Sequence, residues 1–167
     1  MNSSINNGVG GHVNFETTEK GGFITFSDTT TTESIFYQPD DFIGYSHVQI
    51  MEHIDNRWNE KSLLYFISIM KKAAEGKFDY GNKFNRKNAA NLNVKLPYKN
   101  NEIYFEYMEK YIEEMETERI EEMETERIEE MEAYLQVTGL SDYKITKKEQ
   151  ESHDKYDSMV KNPRAEQ

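Results

Sequence analysis

Apolar residues in the first third of the chain are spaced as in β-strands. In residues 23–54, short apolar runs at 23–26, 35–37 and 48–54 are separated by polar segments, and the last run alternates apolar with polar positions. A spacing of two, with turn residues between the runs, is typical of short strands. The pattern therefore predicts a small sheet in this part of the chain.

Residues 59–75 follow the spacing of an α-helix instead. Their apolar side chains recur at intervals that place them on one face, which comprises Leu63, Phe66, Ile67, Met70 and Ala74. Asn59 is a residue type that caps helix N-termini, and Gly76 is one that ends helices. We expect this face to pack into a hydrophobic core, because an apolar stripe at helical spacing most often does.

Two further elements are predicted after residue 90. Leu92, Val94 and Leu96 alternate with polar residues, which indicates a strand that ends at Pro97. Residues 103–137 lack Gly and Pro and are dominated by helix-forming types, and Gly139 follows them. A helix of about 35 residues would be roughly 50 Å long, longer than a small domain is wide. We therefore divide the chain into a compact part at 1–100, a helix at 103–138, and a polar tail or linker at 139–167.

The predicted long helix contains a repeated octapeptide. The sequence EEMETERI occupies residues 113–120 and recurs unchanged at 121–128. Eight residues exceed two helical turns by about 80°, so the apolar stripe drifts around the helix instead of forming a straight coiled-coil seam. The candidate helix-pairing residues on this stripe are Ile112, Met115, Ile120, Met123, Ile128, Met131 and Leu135.

Two interpretations of this repeat stay open. One is a solvated acidic helix that tolerates duplication. The other is a spacer, because each copy adds about 12 Å, the rise of roughly three to four base pairs of DNA.

Charge is distributed unevenly along the chain. The net charge is −11, yet residues 1–100 carry 11 basic and 11 acidic side chains, whereas 101–140 carry 3 and 14. Within 57–99 there are 10 basic and 3 acidic residues. A local excess of basic residues on a neutral domain is compatible with phosphate binding, which the global charge conceals.

The sequence shows no constellation typical of catalysis. It has no cysteine, its four histidines are scattered, and no phosphate-binding glycine loop is present. We therefore predict no enzyme activity, no metal and no cofactor; a nuclease using Asp40 and Glu52 is the enzymatic alternative. The longest apolar run, 63–70, is too short to span a bilayer, and no signal peptide is visible. The expected location is a reducing cytoplasm.

The polar and basic side chains are suited to binding, and the partner they indicate is nucleic acid. Side chains suited to DNA contacts comprise phosphate-binding Lys71, Lys72, Lys83, Arg86 and Lys87, and base-edge groups on Thr30, Thr31, His47 and Gln49. Asn82, Asn85 and Asn88 offer further base-edge groups. The interleaved aromatics Phe78, Tyr80 and Phe84 are more often core residues than nucleic-acid platforms.

Several short blocks resemble the target-recognition domains of restriction–modification specificity subunits, of type I systems and of similar type II systems. The resemblance covers residues 6–143. The blocks that carry it are KGGFITFSDT at 20–29, FYQPDDFIG at 36–44, WNEKSLLYF at 58–66, KFDYGNKFNR at 77–86, VKLP at 94–97, YIEEME at 111–116 and EAYL at 132–135. Family domains have further strands before residue 6, so we expect an N-terminally incomplete domain belonging to a half-sized subunit.

The resemblance implies a fold and a function. The expected class is α+β, with a small mixed sheet followed by one long protruding helix. The expected function is sequence-specific recognition of double-stranded DNA, with the helix as spacer and as docking surface for a methyltransferase subunit. The resemblance also implies two other possible partners: a restriction subunit and a second copy of the chain paired through the long helix. The alternative is an acidic helical scaffold, or a degenerate fragment that no longer reads DNA.

Overall fold

The computed structural model describes residues 4–28, 32–79, 81–140 and 144–161, with side chains described up to residue 157. Its strands are β1 (Phe23–Ser27), β2 (Phe36–Gln38), β3 (Val48–Met51), β4 (Tyr98–Lys99) and β5 (Glu102–Ile103). Its α-helices are α1 (Glu60–Ala74), α2 (Arg86–Ala90), α3 (Phe105–Thr138) and α4 (Lys147–Lys161). Short 3-10 turns lie at Asn6–Gly8 and Thr32–Ser34. The predicted α+β class is confirmed.

The central sheet has the order β2-β1-β3. Both pairings are antiparallel, with Ile24 opposite Tyr37 and Thr25 opposite Ile50. The three predicted strands are therefore present, although the sheet is antiparallel where a mixed one was expected. β1 is the central strand and buries four of its five residues, with Ile24 and Phe26 in the hydrophobic core. β3 forms one edge of this sheet.

The apolar face of α1 forms the core together with the sheet. Leu63, Ile67 and Met70 are buried in one cluster with residues of β1 and with Phe84 from the loop after α1. This confirms that the apolar stripe of the predicted helix packs into a core.

The ends of α1 lie where the sequence predicted them. Asn59 Oδ1 accepts a hydrogen bond from the Ser62 backbone N–H at 3.1 Å, and Ser62 Oγ accepts one from the Asn59 N–H at 2.8 Å. This reciprocal capping box satisfies two N–H groups that the first turn leaves without partners. At the other end, Gly76 adopts a φ of +67°, a conformation that favours glycine.

Replacing Asn59 with Ala should lower the free energy of unfolding by about 1–2 kcal/mol, because the cap is lost. The same change removes the hydrogen bond from Asn59 Nδ2 to Glu109 Oε1 (2.7 Å), which joins α1 to α3. Urea denaturation followed by the fluorescence of Trp58, the only tryptophan, measures the effect. Asn93→Ala is the control, since Asn93 is exposed; equal stability of the two variants would contradict the capping role.

The strand predicted at residues 92–96 is wrong. Leu92 and Val94 pack against the core as partly buried side chains, but the structure assigns no strand to this segment. Alternating burial of a segment beside a core gives the same sequence pattern as a strand, because the pattern does not record backbone pairing. A short β4–β5 hairpin follows, whose turn residues Asn100 and Asn101 both have positive φ, as a tight hairpin turn requires.

The long helix is present as α3, and its first turns are anchored in the core. Phe105 and Met108 are buried, Phe105 contacts the Trp58 ring edge-on at 5.1 Å, and the Arg57 guanidinium lies 5.0 Å from the Phe105 ring centroid. The chain forms two compact units, residues 1–118 and 119–167, and α3 runs through the boundary between them.

The second unit contains a helix that the sequence analysis did not assign. α4 lies within the predicted polar tail, and Thr146 and Glu149 cap it reciprocally: the Thr146 N–H donates to Glu149 Oε2 at 2.9 Å, and the Glu149 N–H donates to Thr146 Oγ1 at 3.4 Å. The T-x-x-E spacing is a helix-start signal visible in the sequence. It was missed because α4 has few apolar residues to produce a helical period.

Candidate nucleic-acid interface

Four polar side chains form a continuous hydrogen-bonded chain beside β3. Arg86 Nε donates to Gln49 Oε1 at 3.0 Å, and Gln49 Nε2 donates to Asp28 Oδ2 at 3.2 Å. Asp28 Oδ1 accepts from His47 Nδ1 at 3.1 Å, with the ring as donor because a carboxylate has no proton to give. We call Arg86, Gln49, Asp28 and His47 the β3 polar chain.

The antiparallel register explains why three of these residues meet. Phe26 pairs with Gln49 and Ser27 with Val48, so Asp28 is carried opposite His47. The Asp28 N–H donates to the His47 carbonyl at 3.1 Å and extends the ladder by one position. His47 directly precedes β3 and Gln49 lies within it, and both side chains hydrogen-bond to the Asp28 carboxylate.

Arg86 enters this group from α2. It is the first residue of that helix, whose N-cap is Asn85. The Arg86 side chain is exposed and donates to Gln49 through Nε, and no carboxylate of the described residues forms an ion pair with its guanidinium. Arginine has five N–H donors, and those on the Nη atoms stay available for an outside acceptor.

The β3 polar chain is accessible to a ligand. The His47 side chain is 58% exposed and that of Asp28 is 28% exposed. Gln49 is half-buried and uses one hydrogen and one acceptor position of its amide within the chain. Its amide therefore retains one N–H and one lone pair.

The predicted phosphate-binding lysines lie in different places. Lys87 is exposed on α2, next to Arg86, and Lys83 is half-buried in the loop before it. Lys72 is exposed in the last turn of α1. Lys71 lies beside β2, the edge of the sheet opposite to Gln49: its Nζ is 5.3 Å from the Phe36 ring centroid, and burial lowers its pKa.

The asparagines of the basic loop stabilise the loop itself. Asn85 Oδ1 caps α2 by accepting from the Asn88 N–H at 3.0 Å, Asn88 Nδ2 donates to the Lys83 carbonyl at 2.7 Å, and Asn82 Nδ2 donates to the Lys77 carbonyl at 2.9 Å. These three side chains therefore hydrogen-bond to the backbone of their own loop. Residue type alone did not show this, because the same side chains could also contact bases.

The described aromatic residues of this loop belong to the core. Phe84 is fully buried and makes edge-on contacts with Phe26 at 5.3 Å and Phe78 at 5.2 Å between ring centroids. This agrees with the interpretation that the sequence favoured. Thr30 and Thr31, predicted to contact bases, and Tyr80 lie outside the described residues.

Asp28 is the residue that sequence reasoning missed. A single acidic residue after a strand carries no signal for DNA contact. Only the pairing register of β1 with β3 places it against His47 and Gln49.

The apolar stripe of α3 is largely exposed. Met115, Ile120, Met123, Ile128 and Met131 are 47–59% exposed, and Ile112 and Leu135 are half-buried. The stripe therefore offers apolar surface along the helix.

The described residues contain neither a metal-binding cluster nor a membrane-spanning helix. No group of three or more His, Asp or Glu side chains there is placed to hold a metal ion, and Asp40 and Glu52 are both exposed. No helix in this part of the chain has the length and apolar character needed to cross a membrane.

The chain matches a known protein family. The family model described as type I restriction modification DNA specificity domain matches residues 1–125. No curated protein and no solved structure matches the chain. The matched residues contain the whole β3 polar chain and the first part of α3.

Proposed function

We propose that this chain, which belongs to the type I restriction modification DNA specificity domain family, reads double-stranded DNA for a restriction–modification complex. The β3 polar chain is the observation that carries this proposal for the chain's own residues. It presents arginine, glutamine and histidine side chains together on one exposed edge. Recognition of this kind requires no reaction at the chain itself.

The remaining hydrogen-bonding capacity of Gln49 suits a base edge. An amide that keeps one donor and one acceptor can bond to N6 and N7 of adenine in the major groove. His47 supplies a second polar group, which bonds to the other oxygen of the same Asp28 carboxylate. Asp28 orients both side chains before DNA arrives, which reduces the entropy lost on binding.

Basic side chains near this edge supply the sequence-independent part of binding. Arg86 and Lys87 are adjacent on α2 and exposed. Their contacts with phosphates would release condensed counterions and make the affinity depend on salt. Lys83, Lys72 and Lys71 stay further candidates on the same domain, with Lys71 at the opposite edge of the sheet.

We assign a spacer and docking role to α3. The region 1–100 would contact DNA, the helix at 103–138 would set the distance to a second recognition unit, and 139–167 would follow as an appended segment. The winding apolar stripe and the acidic surface of α3 support contact with another protein, either a methyltransferase subunit or a second copy. The complex would act in the cytoplasm.

Replacing Arg86 and Lys87 together with Ala should weaken DNA binding roughly tenfold or more and reduce the salt dependence of affinity. Each lost phosphate contact lowers the slope of log K against log salt by about 0.9. Fluorescence anisotropy with a duplex at several salt concentrations, in the presence of the methyltransferase subunit, measures both quantities.

The matched control is the double replacement Lys147→Ala with Lys148→Ala, which removes the same charge from α4. Unchanged affinity and slope in the Arg86 and Lys87 variant would remove these residues from the interface. Absence of DNA binding by the wild-type complex would contradict the proposed function and favour an acidic helical scaffold.

A further inference from the structure

The charged members of the β3 polar chain fix the direction of its hydrogen bonds. Arginine has only donors, so the Gln49 atom that Arg86 contacts at 3.0 Å is the amide oxygen. A carboxylate has only acceptors, so Asp28 receives one N–H from the Gln49 amide at 3.2 Å and another from the His47 ring at 3.1 Å. Both neighbours of Asp28 therefore donate to it.

This direction sets the tautomer of His47. Nδ1 carries the proton because it donates to Asp28, and a neutral imidazole has only one N–H. Nε2 therefore keeps a lone pair and no hydrogen, so it can only accept a hydrogen bond. The His47 side chain is 58% exposed, and its Nε2 has no hydrogen-bond partner among the residues that the structure describes.

A lone pair at Nε2 suits only some groups of DNA. Phosphate oxygens carry no hydrogen, so they cannot bond to it directly. In the major groove N7 and O6 of guanine and O4 of thymine are acceptors as well, whereas N6 of adenine and N4 of cytosine carry hydrogens. An exocyclic amino group is therefore the hydrogen-bonding group of the major groove that neutral His47 can bind.

We propose that His47 reads the exocyclic amino group of an adenine or a cytosine, and that Asp28 is the positioning residue that makes His47 an acceptor. The proposal rests on the function proposed above and adds the class of base that one residue of the same site reads. It also separates His47 from Arg86, whose Nη donors suit the opposite partners, phosphate oxygens and the acceptors of guanine.

NMR of the ring nitrogens in the isolated, isotope-labelled chain tests the tautomer without DNA. The His47 signals are those that disappear in His47→Ala, and His12→Ala is the control because His12 is exposed. At about pH 8, where histidine side chains are ordinarily neutral, the spectrum should show His47 protonated at Nδ1 and not at Nε2. A proton on Nε2 of His47 in the wild type would overturn the proposal.

The contact with DNA is tested in the complex with the methyltransferase subunit. A preferred site is first selected from randomised duplexes with the wild-type complex. Each adenine of this site is then replaced in turn by an analogue without the N6 amino group, and each cytosine by one without the N4 amino group. At one position the loss of affinity should be roughly two- to tenfold larger in the wild type than in His47→Ala. The base at that position shows whether adenine or cytosine is read.

Asp28→Asn distinguishes control of the tautomer from a merely structural role. The new amide can accept from Gln49 with its oxygen and donate to His47 Nδ1 with its nitrogen, which moves the ring proton to Nε2. The variant should then prefer guanine or thymine at the position of the amino group, whereas loss of order alone would weaken binding to every base. Asp40→Asn is the control, because Asp40 is an exposed carboxylate outside the β3 polar chain.

The outcomes separate this proposal from the proposed function. If the complex selects a site but wild type and His47→Ala are equally sensitive at every amino position, His47 does not read a base and only the present proposal is refuted. If the wild-type complex selects no site, both the proposed function and the role of His47 are refuted.

Discussion

Replacing Phe84 with Ala is expected to lower the free energy of unfolding by about 3–5 kcal/mol. Phe84 is fully buried, and its edge-on contacts with Phe26 and Phe78 fix the loop after α1 against the sheet. Alanine would leave a cavity and remove both aromatic contacts. Because the same loop leads into α2, we also expect weaker DNA binding through loss of order at Arg86 and Lys87.

Urea denaturation followed by Trp58 fluorescence tests this expectation, since Trp58 packs against the same core. Phe15→Ala is the matched control: Phe15 is 77% exposed, so the same substitution should change stability little. A loss below about 1 kcal/mol for Phe84→Ala would show that the core closes over the gap, contrary to the packing described.

Replacing Asp28 with Ala should reduce discrimination between specific and non-specific DNA by roughly five- to hundredfold. Asp28 holds His47 and Gln49 by hydrogen bonds of 3.1 and 3.2 Å. Without it both side chains must be ordered on binding, at a cost of about 0.5–1.5 kcal/mol each. Affinity for non-specific DNA should be unchanged or higher, because a negative charge near the phosphates is removed.

The measurement first selects the preferred site from randomised duplexes with the wild-type complex. Affinities of each variant for this site and for an unrelated duplex then give the discrimination ratio. Asp40→Ala is the control, since Asp40 is an exposed carboxylate outside the β3 polar chain and its loss changes the net charge equally. If the discrimination ratio falls equally in the Asp28→Ala and Asp40→Ala variants, the cause is the lost charge and not the orienting role of Asp28.

Local pattern and local capping are enough to predict several elements of this fold. The strands β1, β2 and β3, the helix α1 with its Asn59 cap, and the long α3 were all predicted close to their observed positions. Residues 92–96 differ from the prediction because their alternation reflects packing without strand pairing. Helix α4 was not predicted because its sequence signal is a cap without an apolar period.

The candidate site was predictable only in part. His47, Gln49 and Arg86 were chosen for their chemistry, but the sequence contains no indication that they touch, since residues 49 and 86 are far apart along the chain. Lys71 was chosen by the same reasoning, and the fold places it at the opposite sheet edge.

The sequence by itself determined the family, the α+β class, the uneven charge and the repeated acidic helix, because each follows from residue types or from spacing within one segment. Tertiary structure decided which polar groups act together. Strand register brought Asp28 to His47, and packing of Phe84 against Phe26 brought Arg86 to Gln49. Register and packing are set by contacts between distant segments, so no local pattern contains them.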